Sequence, residues 1–170
     1  KASKDSSINS DIIVSTDDDE IHTIASYFGV DVLMRPNYLA KDNITLDPVI
    51  KHCLTNMEKK NKKKYDHIFT IQPTCPLIIA KDIDEAFHNL INSKADSIIT
   101  VVEKKHLFWH IDSKKIKPFY NKRLNRQDLA PTYQEIGGII GCTRDQLLKG
   151  QRLGKKIEFL EVDEERAIDI

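Results

Sequence analysis

The chain has 170 residues, 40% hydrophobic and 31% charged, with 26 basic and 26 acidic side chains and no formal net charge. This composition suits one soluble globular domain with a sizeable core, and it offers no basic field to hold nucleic acid. No apolar run approaches the ~20 residues of a membrane span, no signal peptide is visible, and the three scattered cysteines, Cys53, Cys75 and Cys142, form no CxxC pair or disulfide framework, so a reducing, cytoplasmic setting without membrane or nucleic-acid partners is expected.

Residues 1–10 read as the end of a helix. Asp11-Ile12-Ile13-Val14-Ser15-Thr16 is a short buried strand, followed by three aspartates. From Asp19 to Phe28, Ile21, Ile24, Ala25 and Phe28 recur at helical spacing, and Gly29 is a natural C-terminal stop. Asp31-Val32-Leu33-Met34 is a second strand, ended by Arg35-Pro36. Asp47 to Lys60 places Val49, Ile50, Cys53, Leu54 and Met57 on one helical face. The basic run 59–64 is read as a solvated loop. Asp66 to Ile71 is a third strand, Lys81 to Ser93 a helix with Ile83, Ala86, Phe87, Leu90 and Ile91 on one side, and Ser97 to Val102 a fourth strand. This β-α-β-α-β-α-β order with short connections predicts an α/β architecture, a mainly parallel sheet flanked by helices.

The pattern changes over 104–134, where Phe108-Trp109-His110, Phe119-Tyr120, Arg123 and Arg126 mix aromatic and basic side chains. This segment is expected to leave the sheet as short antiparallel strands and a long loop. His106 and His110 are read as structural. Gly137 to Cys142 returns as a strand, Thr143 caps a helix running to about Lys149, and Lys156 to Glu161 is a further strand. Ala167-Ile168-Asp169-Ile170 reads as one more extended stretch.

Polar groups collect at the predicted carboxyl ends of strands: Thr16-Asp17, Arg35-Pro36 and Gln72-Pro73-Thr74. In a parallel sheet, ligands sit beyond those ends, and the three groups are expected to line one crevice. Pro73 and Pro76 have fixed φ and no N–H, so they hold Gln72, an amide donor and acceptor, at low entropic cost. Arg35 is either a solvated surface arginine or, before a proline at a strand end, a group that holds a phosphate or a base edge. Asp169, in an apolar run, either faces solvent or ligates a cation. No Ser/His/Asp triad, zinc spacing or activated cysteine is apparent.

Taken in order, IIVSTDDDEI (12–21), a glycine then DVLMRP (29–36), LAKD (39–42), QPTCPL (72–77), RQDL (126–129) and AIDI (167–170) resemble the CMP-sialic acid synthetases, the acylneuraminate cytidylyltransferases. The resemblance spans nearly the whole chain. It implies a single domain with a Rossmann-like nucleotidyltransferase fold, and a homodimer in which 104–134 forms the dimerisation excursion. It also implies transfer of CMP from CTP to the anomeric hydroxyl of a sialic-acid-like 2-keto sugar acid, with Mg²⁺ required and pyrophosphate released. The alternatives are a related enzyme for a 3-deoxy-octulosonate or a pseudaminic- or legionaminic-type acid, and a non-catalytic domain of the same fold. Residue by residue, it implies that Arg35 and Thr45 contact the nucleotide, that Gln72 and Gln127 hold the sugar acid, that Arg126 serves catalysis, and that Asp169 holds the metal. It further implies a phosphate loop before Lys1 and a second aspartate after Ile170. Ile78 stands where an arginine is frequent, Gly137 where an asparagine is usual and Gly141 where an aromatic is common; these departures put the identity of the sugar acid in doubt.

Overall fold

A computed structural model describes all residues, Lys1–Ile170. The chain forms five α-helices: α1 (Ala2–Asp5), α2 (Asp19–Tyr27), α3 (Leu46–Asn61), α4 (Ala80–Ser93) and α5 (Arg144–Leu148). It forms eight strands: β1 (Ile13–Thr16), β2 (Asp31–Met34), β3 (His67–Ile71), β4 (Ser97–Lys104), β5 (Trp109–Asp112), β6 (Lys115–Pro118), β7 (Thr132–Thr143) and β8 (Ile157–Glu161). The main sheet has the order β3-β7-β4-β8. In it β3, β4 and β8 run the same way and β7 alone is reversed, so the expected mainly parallel α/β sheet is present.

The core follows from β4, whose first six residues are all buried. Flanked on both edges and covered on both faces, such a strand reads as a continuous apolar run. Its alternate residues Ile98 and Val102 join α4 (Ile83, Ala86, Leu90) in one cluster of twelve buried residues, which also takes Cys75 and Ile78 from the loop after β3. Ile99 and Val101 pack with Ile140. Leu54 of α3, Leu147 of α5 and Cys142 make a smaller cluster. Each fully buried Leu or Ile contributes about 1.5–3 kcal/mol.

Two features of β7 shape the region beside β3. Ile99 pairs with Ile140 but Val101 pairs with Glu135, so Ile136–Ile139 bulge opposite Thr100. The buried Thr100 hydroxyl fills the break, accepting from the Ile139 N–H at 2.7 Å and donating to the Ile139 carbonyl at 3.1 Å. Within the bulge Gly137 sits at φ +70°, a conformation that costs other L-residues energy.

Several expectations need correction. β1 and β2 pair only with each other, in parallel, so their carboxyl ends and that of β3 lie on two separate ladders rather than one continuous sheet edge. On α2 only Ala25 is buried; Ile21, Ile24 and Phe28 are about half exposed, because no layer of the chain covers that face. On α4 the fully buried stripe includes Asp82 and excludes Ile91, which is exposed. Ile168–Ile170 form no strand; they follow a short 3₁₀ turn, Glu164–Arg166. The 12-residue β7 begins at Thr132, earlier than the pattern indicated, while β5 and β6 form a separate antiparallel hairpin. Thr143 does cap α5, its Oγ1 accepting from the Gln146 N–H.

Candidate active site

The loop after β3 is built from both of its ends. The Gln72 N–H donates to the Gly138 carbonyl at 3.2 Å, and the Gln72 carbonyl accepts from the Cys75 N–H, closing a turn over Pro73-Thr74. The Gln72 amide lies over Gly137 so closely that a Cβ there would stand 3.3 Å from Nε2. The Cys75 thiol, 3% exposed, donates to the Ile136 carbonyl at 2.9 Å. The stiff dipeptides QP and CP therefore frame a loop that is anchored to the β7 bulge and holds its glutamine in place.

Asp169 comes to the same loop. The Ile170 N–H donates to the Thr74 carbonyl at 3.0 Å, and the Asp169 carboxylate lies 3.9 Å from the Cys75 sulfur. Burial, chiefly, and the nearby Asp169 charge push the Cys75 thiol up, so it is no thiolate nucleophile. Asp169 is exposed and forms no ion pair within 4 Å. The structure thus ties the segment carrying Asp169 to the loop that begins at Gln72, at Thr74 and Cys75.

A second cluster sits at the ends of β1 and β2. The Arg35 N–H donates to the Thr16 carbonyl at 2.6 Å. Its guanidinium donates to the Ser15 carbonyl at 2.8 Å and to Ser15 Oγ at 3.3 Å, and stands 4.0 Å from Asp17. The other polar residues of this stretch are structural. Thr16 Oγ1, buried, accepts from the Asp18 N–H, and Asp18 caps α2 by accepting from the Ile21 N–H at 2.8 Å. Behind Arg35, burial raises the pKa of Cys53 despite its hydrogen bond with Ser15. Thr45 occupies the position before α3 with no side-chain capping bond, exposed.

Arg126 and Gln127 lie in a short 3₁₀ turn, Arg126–Asp128, both exposed. Arg126 is near enough to Glu164 to help hold that carboxylate below its usual range, with Lys104 as the main cause. No direct contact joins Arg126 to Gln72 or to Arg35 within the chain.

Ser15 and Asp82 were not marked by the sequence, and Gly137 was marked only as a departure from the usual asparagine. Ser15 orients Arg35, Gly137 makes room for the Gln72 amide, and Asp82 is buried beneath the Gln72 loop in a bidentate pair with Arg166. Asp82 left one signal: an aspartate directly beside Ile83 at the start of the apolar face of a helix.

A family model described as cytidylyltransferase matches residues 1–151. Post-translational flagellin modification protein B of Campylobacter coli is 28% identical, over 98% of this chain and 74% of its own length. N-acylneuraminate cytidylyltransferase A of Danio rerio is 25% identical over the whole chain, which spans only 40% of that relative. Among solved structures, CMP:2-keto-3-deoxy-manno-octonic acid synthetase complexed with CTP superposes with a TM-score of 0.64 at 14% identity, covering 95% of this chain and 76% of that one; at that identity the likeness is one of fold. The chain belongs to the cytidylyltransferase family, as a nucleotidyltransferase similar to the N-acylneuraminate cytidylyltransferases.

Proposed function

We propose that the chain is an enzyme that transfers CMP from CTP to the anomeric hydroxyl of a sialic-acid-like 2-keto sugar acid, releasing pyrophosphate. The observation that supports this most is that the loop opening with Gln72, whose backbone is tied to β7, also receives the segment carrying the exposed Asp169 carboxylate. A scaffold has no need of that pair. In this reading the amide of Gln72, with Gln127, holds the sugar acid, while Arg35 and Thr45 hold the nucleotide and Arg126 acts near the transferring phosphate.

Asp169 is the residue that would hold Mg²⁺. No group of three or more His, Cys, Asp or Glu side chains could enclose a metal ion. One exposed, unpaired carboxylate fits an ion that takes most of its oxygen ligands from substrate phosphates and water. When bound, the ion would neutralise charge on the triphosphate.

The reaction is an in-line displacement. The anomeric oxygen forms a bond to the α-phosphorus, the bond from that phosphorus to the β-bridging oxygen breaks, pyrophosphate leaves with the electron pair, and the hydroxyl proton passes to solvent. The protein's part is positioning and charge stabilisation. Ser15 fixes the Arg35 guanidinium, and the β7 bulge fixes the Gln72 backbone.

The hairpin β5–β6 supports a homodimer. Trp109, Ile111, Ile116 and Phe119 are between 52% and 76% exposed on it, a concentration of apolar surface suited to a protein interface. The test of function is pyrophosphate release with CTP, Mg²⁺ and a panel of sialic, legionaminic, pseudaminic and 3-deoxy-octulosonic acids. Release with one acid and none without acid supports the reading and names the substrate. No release with any acid, from a chain that binds CTP, sinks it.

A further inference from the structure

We infer that Asp82 and Arg166 form a clasp that positions Asp169 against the Gln72 loop. The inference rests on the proposed role of Asp169, and it concerns two residues with no role in the reading above.

Asp82 is 3% exposed, on the face of α4 that buries Ile83, Ala86 and Leu90. A carboxylate in that setting needs full compensation, and every partner it has belongs to one of two segments. Its Oδ2 accepts from the Ile79 N–H at 2.9 Å, which ends the loop that starts at Gln72 and begins α4. Its two oxygens accept from Arg166 Nη1 and Nη2 at 2.7 and 3.0 Å. This fork-to-fork geometry specifies direction as well as distance.

Arg166 closes the Glu164–Arg166 turn. Ala167, next along, packs against the large core cluster. Asp169 follows beside Cys75, and the Ile170 N–H is tied to the Thr74 carbonyl. Asp169 is therefore held between two attachments, the clasp at Arg166 and the backbone bond at Ile170. A single buried carboxylate sets both the end of the Gln72 loop and the start of the segment that carries Asp169. The pair couples the glutamine to the carboxylate geometrically although neither touches it. Asp82 and Arg166 are positioning residues; neither reaches a substrate.

The experiment uses the whole chain with Arg166→Lys, Asp82→Asn and Asp169→Ala. Lysine keeps the charge and loses the fork, so Arg166→Lys retains the fold, checked by circular dichroism. Two quantities are read: hydrogen exchange of the Ile170 amide, and Mn²⁺ affinity in the presence of CTP by electron paramagnetic resonance. In Arg166→Lys and Asp82→Asn the Ile170 amide should exchange about tenfold faster, as expected when a hydrogen bond to a charged group is weakened. Mn²⁺ affinity should fall by about tenfold to a hundredfold, the usual cost of losing a residue that orients a ligand, while metal-free CTP affinity stays unchanged. Wild-type protection of Ile170 in both clasp variants would overturn the clasp. Asp169→Ala separates the two ideas: unchanged Mn²⁺ affinity in that variant, with Ile170 still deprotected in the clasp variants, overturns the metal role of Asp169 and leaves the clasp standing.

Discussion

In the proposed reading, Gln72 holds the sugar acid from a fixed stretch of backbone. Its backbone is tied to Gly138 and Cys75 and its amide lies over a glycine, so the backbone that presents the amide is fixed before any ligand arrives. Gln72→Ala should raise KM for the sugar acid about tenfold, the cost of one hydrogen bond to a charged group, with KM for CTP unchanged. Steady-state kinetics with each substrate varied in turn would show it, and an unchanged sugar-acid KM removes Gln72 from the site. Gly137 is the other half of the same device. Gly137→Ala places a side chain at φ +70°, 3.3 Å from the Gln72 amide, and should destabilise the fold by about 1–2 kcal/mol through the left-handed backbone alone. Urea denaturation measures that loss. A raised sugar-acid KM in the same variant would report the displaced amide.

At the scale of elements, ion pairs tie helices whose apolar contacts are few. Arg144, at the start of α5, grips Glu58 of α3 through Nε at 2.7 Å and Nη2 at 3.0 Å. The Arg144 guanidinium, with a weaker bond from the Tyr65 N–H, holds the Glu58 carboxyl below its ordinary value of 4.5. The sign follows from that depression. The stability this pair contributes is fully present above pH 4.5 and is lost as pH falls through the lower folded value. Glu58→Gln should therefore lower Tm at pH 7, and the difference from the parent chain should vanish in acid below that range. Thermal melts across pH 3–7 would check it; a constant difference at every pH would assign the effect to packing. The small cluster beneath, Leu54, Cys142 and Leu147, is where α3, α5 and β7 meet. Burial there pushes the Cys142 thiol up to about 12, so Cys142 packs as an apolar group.

The whole molecule leaves apolar surface uncovered on the face of α2 and, in a projecting place, on the hairpin. Ile111 and Ile116 are directly paired across it and 76% and 72% exposed. A homodimer through this surface should sediment at twice the chain mass, and Ile111→Asp with Ile116→Asp should shift it to the monomer without changing secondary structure. A parent chain that sediments as a monomer at high concentration rejects the dimer. Arg126 lies beyond the hairpin with no contact to Gln72 or Arg35 in its own chain. Arg126→Ala should abolish most turnover while CTP binding, measured by calorimetry, stays near the parent value; normal turnover would remove its catalytic role.

Local pattern alone determined most elements of this protein. Apolar runs bounded by Pro, Gly and charged residues marked β1, β2, β3 and β8, and a 3.6-residue spacing marked α2, α3 and α4, because backbone sterics and periodicity act over a few residues. The order of motifs also pointed to the cytidylyltransferase family. Tertiary structure decided the rest. Whether Ile21, Ile24 and Ile91 are covered depends on which layer lies over them, and periodicity is silent on that. The glycine at position 137 acquires its purpose only when the β7 bulge meets Gln72, 65 residues earlier in the chain. The burial of Asp82 is compensated because Arg166, which follows β4 and β8 in the chain, folds back to it. Long-range partners of this kind are set by packing and by the need to compensate buried charge, and a linear pattern does not encode them.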